Sequence, residues 1–229
     1  MPASLTKIER DVILAHALFG ILCGAMLLIP ANLAIGIRIF ILVAMYNLLI
    51  PCLGFWRKDR QVLELWAFCL ILSMFQVFPD WFLSAQLGVL VFPADGFPRI
   101  GAVSGYMAGL WTIPMFMIIF LGQSIQARFS KPAALLAVGL ASLAVFGSSE
   151  AIMWALPSWY ARNVHMIGHV ACYILIPEIL LGVSAYLCHA YVSTRGPAAH
   201  VAGAFSVMTF YLGNAAWFYF FFERILWGT

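Results

Sequence analysis

Seven long apolar segments, separated by short polar breaks, constrain this chain more than any other feature of its sequence. Runs such as ILVAMYNLLIPCLGF and MFMIIFLG are too long and too continuous for a soluble fold of 229 residues to cover. Only 9% of the residues are charged, whereas soluble domains carry roughly 25%. Because about 20 apolar residues cross a bilayer as a helix, the sequence predicts an all-α integral membrane protein.

We predict a single bundle of seven transmembrane helices over residues 1–229, because no polar block is longer than a loop. The predicted spans are 11–29, 35–55, 62–84, 103–126, 132–156, 163–191 and 198–226. The breaks contain charged or turn-forming stretches, such as RKDR after the second span and PADGFP before the fourth.

The distribution of Lys and Arg predicts the orientation, since these residues concentrate on cytoplasmic loops. Eight of the twelve fall on the side of the N-terminus, namely Lys7, Arg10, Arg57, Lys58, Arg60, Arg128, Lys131 and Arg195. Four fall on the opposite side, namely Arg38, Arg99, Arg162 and Arg224. The N-terminus is therefore predicted to be cytoplasmic and the C-terminus external. The membrane would be a bacterial inner or plasma membrane, or the endoplasmic reticulum in a eukaryote.

Several functional classes are disfavoured by simple features of the chain. A retinal protein needs a Schiff-base lysine in its last helix, and the segment HVAGAFSVMTFYLGNAAWFYFFFERILWG contains none. The net charge of +3 is too small to indicate a nucleic-acid partner. The expected partners are membrane lipids and a lipophilic small molecule. We find no internal repeat with matching broken helices, which disfavours a secondary transporter without excluding one.

A histidine pair is the candidate metal site. On a helix over 163–191, His165, His169 and Cys172 would lie on one stripe, at i, i+4 and i+7. Two histidines one turn apart can bind one metal ion, with a third ligand from Glu150, Asp80 or Glu223. Seven-helix lipid hydrolases with intramembrane zinc are similar in helix count and in their use of an HxxxH pair. The chain has no further histidine at matching depth. Metal-free catalytic histidines, or imidazoles bonded to backbone and water at the headgroup level, therefore stay open.

The carboxyl groups inside apolar segments are the other candidates, because ionisable groups are costly in a bilayer and are functional by default. The predicted orientation places Asp80, Glu150, His165 and His169 in the outer half of the membrane. Glu178, after Pro177, is predicted to lie near mid-membrane, with Asn214 or Asn47 as its partner and with its neutral form favoured by burial. It would be either the floor of a pocket formed by the four outer residues or only an interhelical hydrogen bond.

Residues Ser73, Gln76, Asp80 and Ser84 form a polar stripe on the third segment, and this stripe predicts a face toward the bundle interior. Alternatively, Pro79 ends the helix, and Asp80 begins a short interfacial helix, DWFLSAQLG. The predicted catalytic residues are Glu150, His169, His165, Asp80 and Glu178. The predicted substrate contacts are Gln76, Asn214, Tyr211, Trp81 and Trp154.

Three functions fit this pattern. The leading one is a membrane-embedded enzyme for an isoprenoid, carotenoid or other lipid, in which a desolvated acid protonates the substrate and aromatic rings stabilise the cation. Cyclisation, isomerisation or hydration would follow, and no cofactor is required. The second is a metal-dependent intramembrane lipid hydrolase or oxidase that uses His165 and His169 with a divalent metal. The third is a small-molecule or proton-coupled transporter.

Overall fold

The computed structural model describes residues 4–30 and 32–228 of the chain. Residues 1–3, Ala31 and Thr229, which belong to the predicted 1–229 domain, lie outside the described residues. Within the described part, seven helices are long and apolar enough to cross a membrane, which confirms the predicted number.

The helices run in chain order as follows. They are α1 (Lys7–Leu28), α2 (Ile35–Arg57), α3 (Arg60–Trp81), the short α4 (Met107–Leu110), α5 (Thr112–Arg128), α6 (Lys131–Ile152), α7 (Leu175–Val192) and α8 (Pro197–Tyr219). Three of them continue in a different helical form: α3 as a π-helical segment over Phe82–Gln86, α6 as a 3₁₀ turn over Met153–Ala155, and α8 as a π-helical segment over Phe220–Leu226.

Local capping explains several of the helix starts at one end of the bundle. Thr6 and Glu9 form a capping box at the start of α1, in which each side chain satisfies a backbone N–H of the other residue. Asp59 accepts the Val62 N–H at 3.0 Å at the start of α3, and Ser130 accepts the Ala133 N–H before α6. Such caps satisfy N–H groups that have no partner within the helix.

Helix α3 is the centre of the bundle, because it packs against α2, α5 and α8. Helix α7 lies between α6 and α8. Helix α1 packs mainly on α2 and buries only Glu9, Val12 and Phe19. An ion pair between Glu9 and Arg128 also ties α1 to α5, with Nη1 and Oε1 2.6 Å apart. The bundle interior therefore lies around α3, with α1 at its edge.

The predicted sixth span begins too early. Helix α7 starts at Leu175 rather than at residue 163, and the preceding residues form a hairpin of β5 (Met166–Ile167) and β6 (Val170–Ala171). Asn163 and Gly168 both adopt positive φ, at 56° and 63°. An α-helix does not accommodate that conformation, so these two residues interrupt the helix that hydrophobicity alone predicts.

Two loops close one end of the bundle, and we call residues 87–106 and 156–174 together the cap. Strand β1 (Leu90–Val91) of the first loop pairs antiparallel with β4 (Tyr160–Ala161) of the second. A further hairpin, of β2 (Arg99–Ile100) and β3 (Val103–Ser104), lies within the first loop. The two loops therefore form one connected structure over the ends of α3 and α6 and the starts of α5 and α7.

Buried hydrogen bonds hold the cap together. The hydroxyl groups of Tyr106 and Ser158 lie 2.8 Å apart and join its two loops. Ser104 donates its hydroxyl to Asp95, which also accepts the Phe97 N–H at 2.9 Å. Burial raises the pKa of Tyr106 to about 12. Because these polar groups are buried and paired, the cap is an ordered lid over the bundle.

Candidate functional site

A cavity of about 280 Å³ lies beneath the cap, with walls formed by all seven long helices and both cap loops. Most of its lining is aliphatic or aromatic. The aromatic residues that line it are Phe19, Phe92, Trp111, Phe146, Trp159, Tyr173 and Tyr211. An apolar pocket with a few convergent polar groups is the usual form of a small-molecule site.

Three carboxyl groups from three helices face this cavity. Asp80 lies at the end of α3, Glu150 at the end of α6, and Glu178 in the first turn of α7. Asp80 and Glu178 are 2% and 3% exposed. Glu150 is half-buried and forms part of the cavity wall. The three groups interact electrostatically. The bundle therefore concentrates three acids in an apolar interior, where ionised groups are costly.

Two tryptophans each donate an indole N–H to one of these acids. Trp111, just before α5, bonds the Oδ2 atom of Asp80 at 3.0 Å. Trp159, in the cap, bonds the Oε1 atom of Glu150 at 3.1 Å. Sequence reasoning missed both tryptophans as site residues. The only signal for them was the general aromatic richness of the chain, because in neither pair do the donor and the acceptor lie on the same helix or strand.

Glu178 differs from the other two acids. Its Oε2 atom is buried and has no hydrogen-bond partner among the described residues, although the residue lines the cavity. A buried polar atom without a partner costs about 1–3 kcal/mol. Such an atom is expected where a ligand supplies the missing contact.

Two tyrosines and Ser149 also contribute polar groups to the lining. Burial raises the pKa of the Tyr173 hydroxyl well above its usual value, and the nearby carboxyl groups of Glu150, Glu178 and Glu223 add to this effect. Tyr211 packs edge-on against Trp111, with ring centroids 6.1 Å apart. Tyr211 was among the predicted substrate contacts, and the structure places it in the cavity wall. Its contact with a substrate stays a prediction.

The structure corrects the predicted position of Glu178. It was expected near mid-membrane, half a membrane away from Asp80 and Glu150, with Asn47 or Asn214 as its partner. Because α7 begins only at Leu175, Glu178 lies at the same end of the bundle as the other two acids. Asn47 instead donates to the carbonyls of Val43 and Gly109, and Asn214 donates to the Phe210 carbonyl of its own helix.

The predicted histidine stripe is wrong, because His165 and His169 lie in the β5–β6 hairpin rather than on a helix. The carboxylate of Glu223 accepts the backbone N–H of His165. Its Oε2 atom also lies 2.8 Å from the Nδ1 atom of His165. His169 stacks on Trp154, with ring centroids 4.0 Å apart. Neither histidine lines the cavity. The described residues contain no group of three or more His, Cys, Asp or Glu side chains suited to a metal ion.

The remaining predicted residues have mixed outcomes. Ser73, Gln76 and Asp80 are buried on α3, which continues through Asp80, so the interior-facing stripe is confirmed for these three residues and the interfacial helix is not formed. Ser84, the fourth member of the stripe, is only half-buried and lies in the π-helical segment. Gln76 lies one turn before Asp80, and neither polar atom of its side chain has a partner among the described residues. Trp81 and Trp154 are 40% and 45% exposed. Gln76, Asn214, Trp81 and Trp154 do not line the cavity.

Comparisons with known proteins identify one family. No curated protein matches the chain. No solved structure matches it either. Residues 77–222 match DUF6989, a domain of unknown function, and this region contains Asp80, Glu150 and Glu178. Since the match covers more than half of the 229 residues, the chain belongs to the DUF6989 family.

Proposed function

We propose that this protein is a membrane-embedded enzyme that acts on a lipophilic substrate by acid–base chemistry. The substrate class is an isoprenoid, a carotenoid or another lipid. The reaction begins with transfer of a proton from the carboxyl cluster and continues as a cyclisation, isomerisation or hydration. The single observation that carries this proposal is the convergence of Asp80, Glu150 and Glu178 on one apolar cavity, with one buried oxygen left without a partner.

A purely structural role accounts poorly for this cluster. Three neighbouring carboxyl groups in an apolar interior destabilise the fold, because each is desolvated and like charges repel. Groups held at such a cost are concentrated at functional sites. The apolar lining excludes water from a reactive cation, and the π faces of the surrounding rings stabilise positive charge.

A lipophilic substrate also suits the position of the cavity within the bundle. Phe19, Cys23 and Leu27 of α1 form part of the wall, and α1 is the helix at the edge of the bundle. In our proposal the seven helices cross the bilayer and the substrate enters from the lipid phase beside α1. The cap then faces the external side. The opposite end carries most of the Lys and Arg residues and contains the Glu9–Arg128 and Asp11–Arg57 ion pairs.

The test compares the lipids of cells that express the wild type, Glu150→Gln or Glu178→Gln, analysed by untargeted mass spectrometry. We expect a lipid product with the wild type that falls at least 100-fold in each variant, since acid–base groups contribute about 10²–10⁴ in rate. Glu64→Gln is the matched control. Glu64 pairs with Arg60 at the opposite end of the bundle, at 2.7 Å.

The variants must be folded and membrane-inserted for this comparison. Recovery in the membrane fraction shows insertion, and fluorescence-detected gel filtration of the detergent extract shows folding. Undiminished product formation in both folded variants would rule out the enzyme proposal. A substrate that accumulates in vesicles without chemical change would favour the transporter instead.

A further inference from the structure

We propose that the cavity ligand carries no charge and that Glu178 is the residue that donates a proton to it. This inference rests on the proposed function and deepens it. The reacting group is an alkene or an epoxide of an isoprenoid chain. Phosphorylated or ionised lipids are excluded, and so are lipophilic amines.

The charges of the lining exclude an anionic ligand. Among the described residues that form the wall, none is Lys, Arg or His. Recognition of a phosphate or a diphosphate uses Arg, Lys, a metal ion or a helix N-terminus. The starts of α5 and α7 also reach the wall, but Asp80 is bonded to Trp111 at the first and Glu178 lies in the first turn of the second, so acids already stand at both ends and would repel such a group. A neutral hydrocarbon chain instead matches the aliphatic and aromatic walls.

The hydrogen bonds divide the three acids into two kinds. Asp80 and Glu150 each accept an indole N–H, and a donor of this kind stabilises a carboxylate. The Oε2 atom of Glu178 has no donor among the described residues. Since like charges at close range are not all ionised together, the proton belongs on Glu178. Glu178 lines the cavity, and in our proposal its hydroxyl group turns to the ligand when one binds.

The same division disfavours a cationic ligand. An ammonium group loses its hydration in this apolar cavity. Asp80 and Glu150 already share their charge with the indole N–H groups of Trp111 and Trp159, and Glu178 is neutral, so the cluster compensates that loss less than three free carboxylates would. A neutral carboxylic acid donates its proton to a weak base such as an alkene or an epoxide oxygen.

The proton balance closes within the cluster. The O–H bond of Glu178 breaks, and the electron pair of the alkene forms a new C–H bond, which leaves a carbocation and a Glu178 carboxylate. After rearrangement, the carbocation loses a proton from an adjacent carbon to the Glu150 carboxylate and forms a new alkene. Transfer of that proton from Glu150 back to Glu178 restores the starting state. No oxidant, reductant or metal is needed.

The first test is a ligand series with one chain and three headgroups: farnesol, farnesyl diphosphate and farnesylamine. Each is added to the protein in lipid nanodiscs, and thermal unfolding is followed by tryptophan emission, since a ligand that binds the folded state raises the unfolding temperature. We expect stabilisation by farnesol alone. Stronger stabilisation by the diphosphate or by the amine, or stabilisation by none of the three, would overturn the neutral-ligand proposal.

The second test is independent of the ligand and reads the proton directly. A protonated carboxylic acid has a carbonyl stretch that a carboxylate lacks, so infrared difference spectra at neutral pH identify the neutral acid. We expect the band to vanish in Glu178→Gln and to persist in Glu150→Gln and Asp80→Asn. Glu178→Asp, which keeps an acid at this position, should retain it. Loss of the band in Glu150→Gln or Asp80→Asn instead would overturn the assignment to Glu178.

These outcomes are distinguishable from failure of the enzyme proposal. If the band belongs to Glu150 while lipid turnover is still lost in both Gln variants, the function stands and only the role of Glu178 is wrong. If turnover persists in both folded variants, the enzyme proposal itself fails, whatever the infrared spectra show.

Discussion

The indole nitrogen of Trp111 lies 3.0 Å from the Oδ2 atom of Asp80, and this bond links the start of α5 to the end of α3 inside the apolar cavity. Both side chains are buried, so neither the indole nor the carboxyl group exchanges its partner for water.

The stability losses caused by removing the two members of this pair should not be additive. Trp111→Phe leaves Asp80 without its indole donor, which costs about 1–3 kcal/mol. In Trp111→Phe/Asp80→Leu, where neither partner can form the bond, the loss should be smaller than the sum of the two single losses. A double-mutant cycle of unfolding free energies in detergent measures this coupling. Additive losses would mean that the bond contributes nothing, and Trp217→Phe, at an exposed tryptophan, serves as the control.

Replacing Glu178 with an apolar side chain of similar length should stabilise the protein and abolish its function. Glu178→Met removes a buried oxygen that has no partner, so we expect the unfolding free energy to rise by about 1 kcal/mol. Thermal unfolding measures the gain in stability, and the lipid product assay measures the loss of function. A loss of stability would show that Glu178 is a structural hydrogen-bonding residue instead.

The hairpin before α7 should depend on Glu223 and not on His169. Glu223 accepts the backbone N–H of His165 through both oxygens, at 3.1 Å. Glu223→Gln weakens this contact, and we expect hydrogen exchange at the His165 amide to accelerate about tenfold, equivalent to about 1.4 kcal/mol. His169→Ala, which removes only a ring stacked on Trp154, should leave that amide unchanged. Equal effects of the two substitutions would contradict this assignment.

Helices α6 and α7 should be sensitive to any added atom at Gly182. A Cβ atom there would collide with the Ser142 hydroxyl and lie 3.3 Å from a methyl group of Ile118. Gly182→Ala should therefore cost about 1–3 kcal/mol. Gly213→Ala is the matched control on α8, where nothing lies within 4 Å. It should gain about 0.5–1 kcal/mol from helix propensity. Similar unfolding temperatures for both variants would refute the close approach.

The cap should lose stability at alkaline pH through Tyr106. Burial raises its pKa to about 12, compared with about 10 for an exposed tyrosine. The folded state therefore favours the protonated form. The contribution is complete below pH 10 and is lost as the pH rises from about 10 to 12, by about 2 kcal/mol. Unfolding as a function of pH measures this. Tyr106→Phe should flatten the decline over that window, and an unchanged decline would show that other groups cause it.

The helical part of the fold was predictable because it depends on local composition. Apolar runs of sufficient length form helices wherever the backbone must satisfy its own hydrogen bonds. The stripe of Ser73, Gln76 and Asp80 was also readable, since the helical period alone places them on one face. Asp80 and Glu150 were assigned to one end of the bundle from chain direction.

The failures share a cause. Hydrophobicity extended the sixth span back to residue 163, and so it joined His165 and His169 on a helix and moved Glu178 to mid-membrane. The actual boundary depends on positive φ at Asn163 and Gly168 and on the pairing of β4 with β1. Strand β1 lies about 70 residues earlier in the chain than β4. An Asn or a Gly in an apolar segment does not by itself specify such a conformation.

The sequence by itself therefore determined an all-helical chain with seven membrane-length helices and the presence of acids within them, because period and hydrophobicity are local properties. Only the tertiary structure decided which acids meet. Glu178 joins Asp80 and Glu150 because the cap sets where α7 begins. Trp159 bonds Glu150 from the cap, and Trp111 bonds Asp80 because α5 packs against α3.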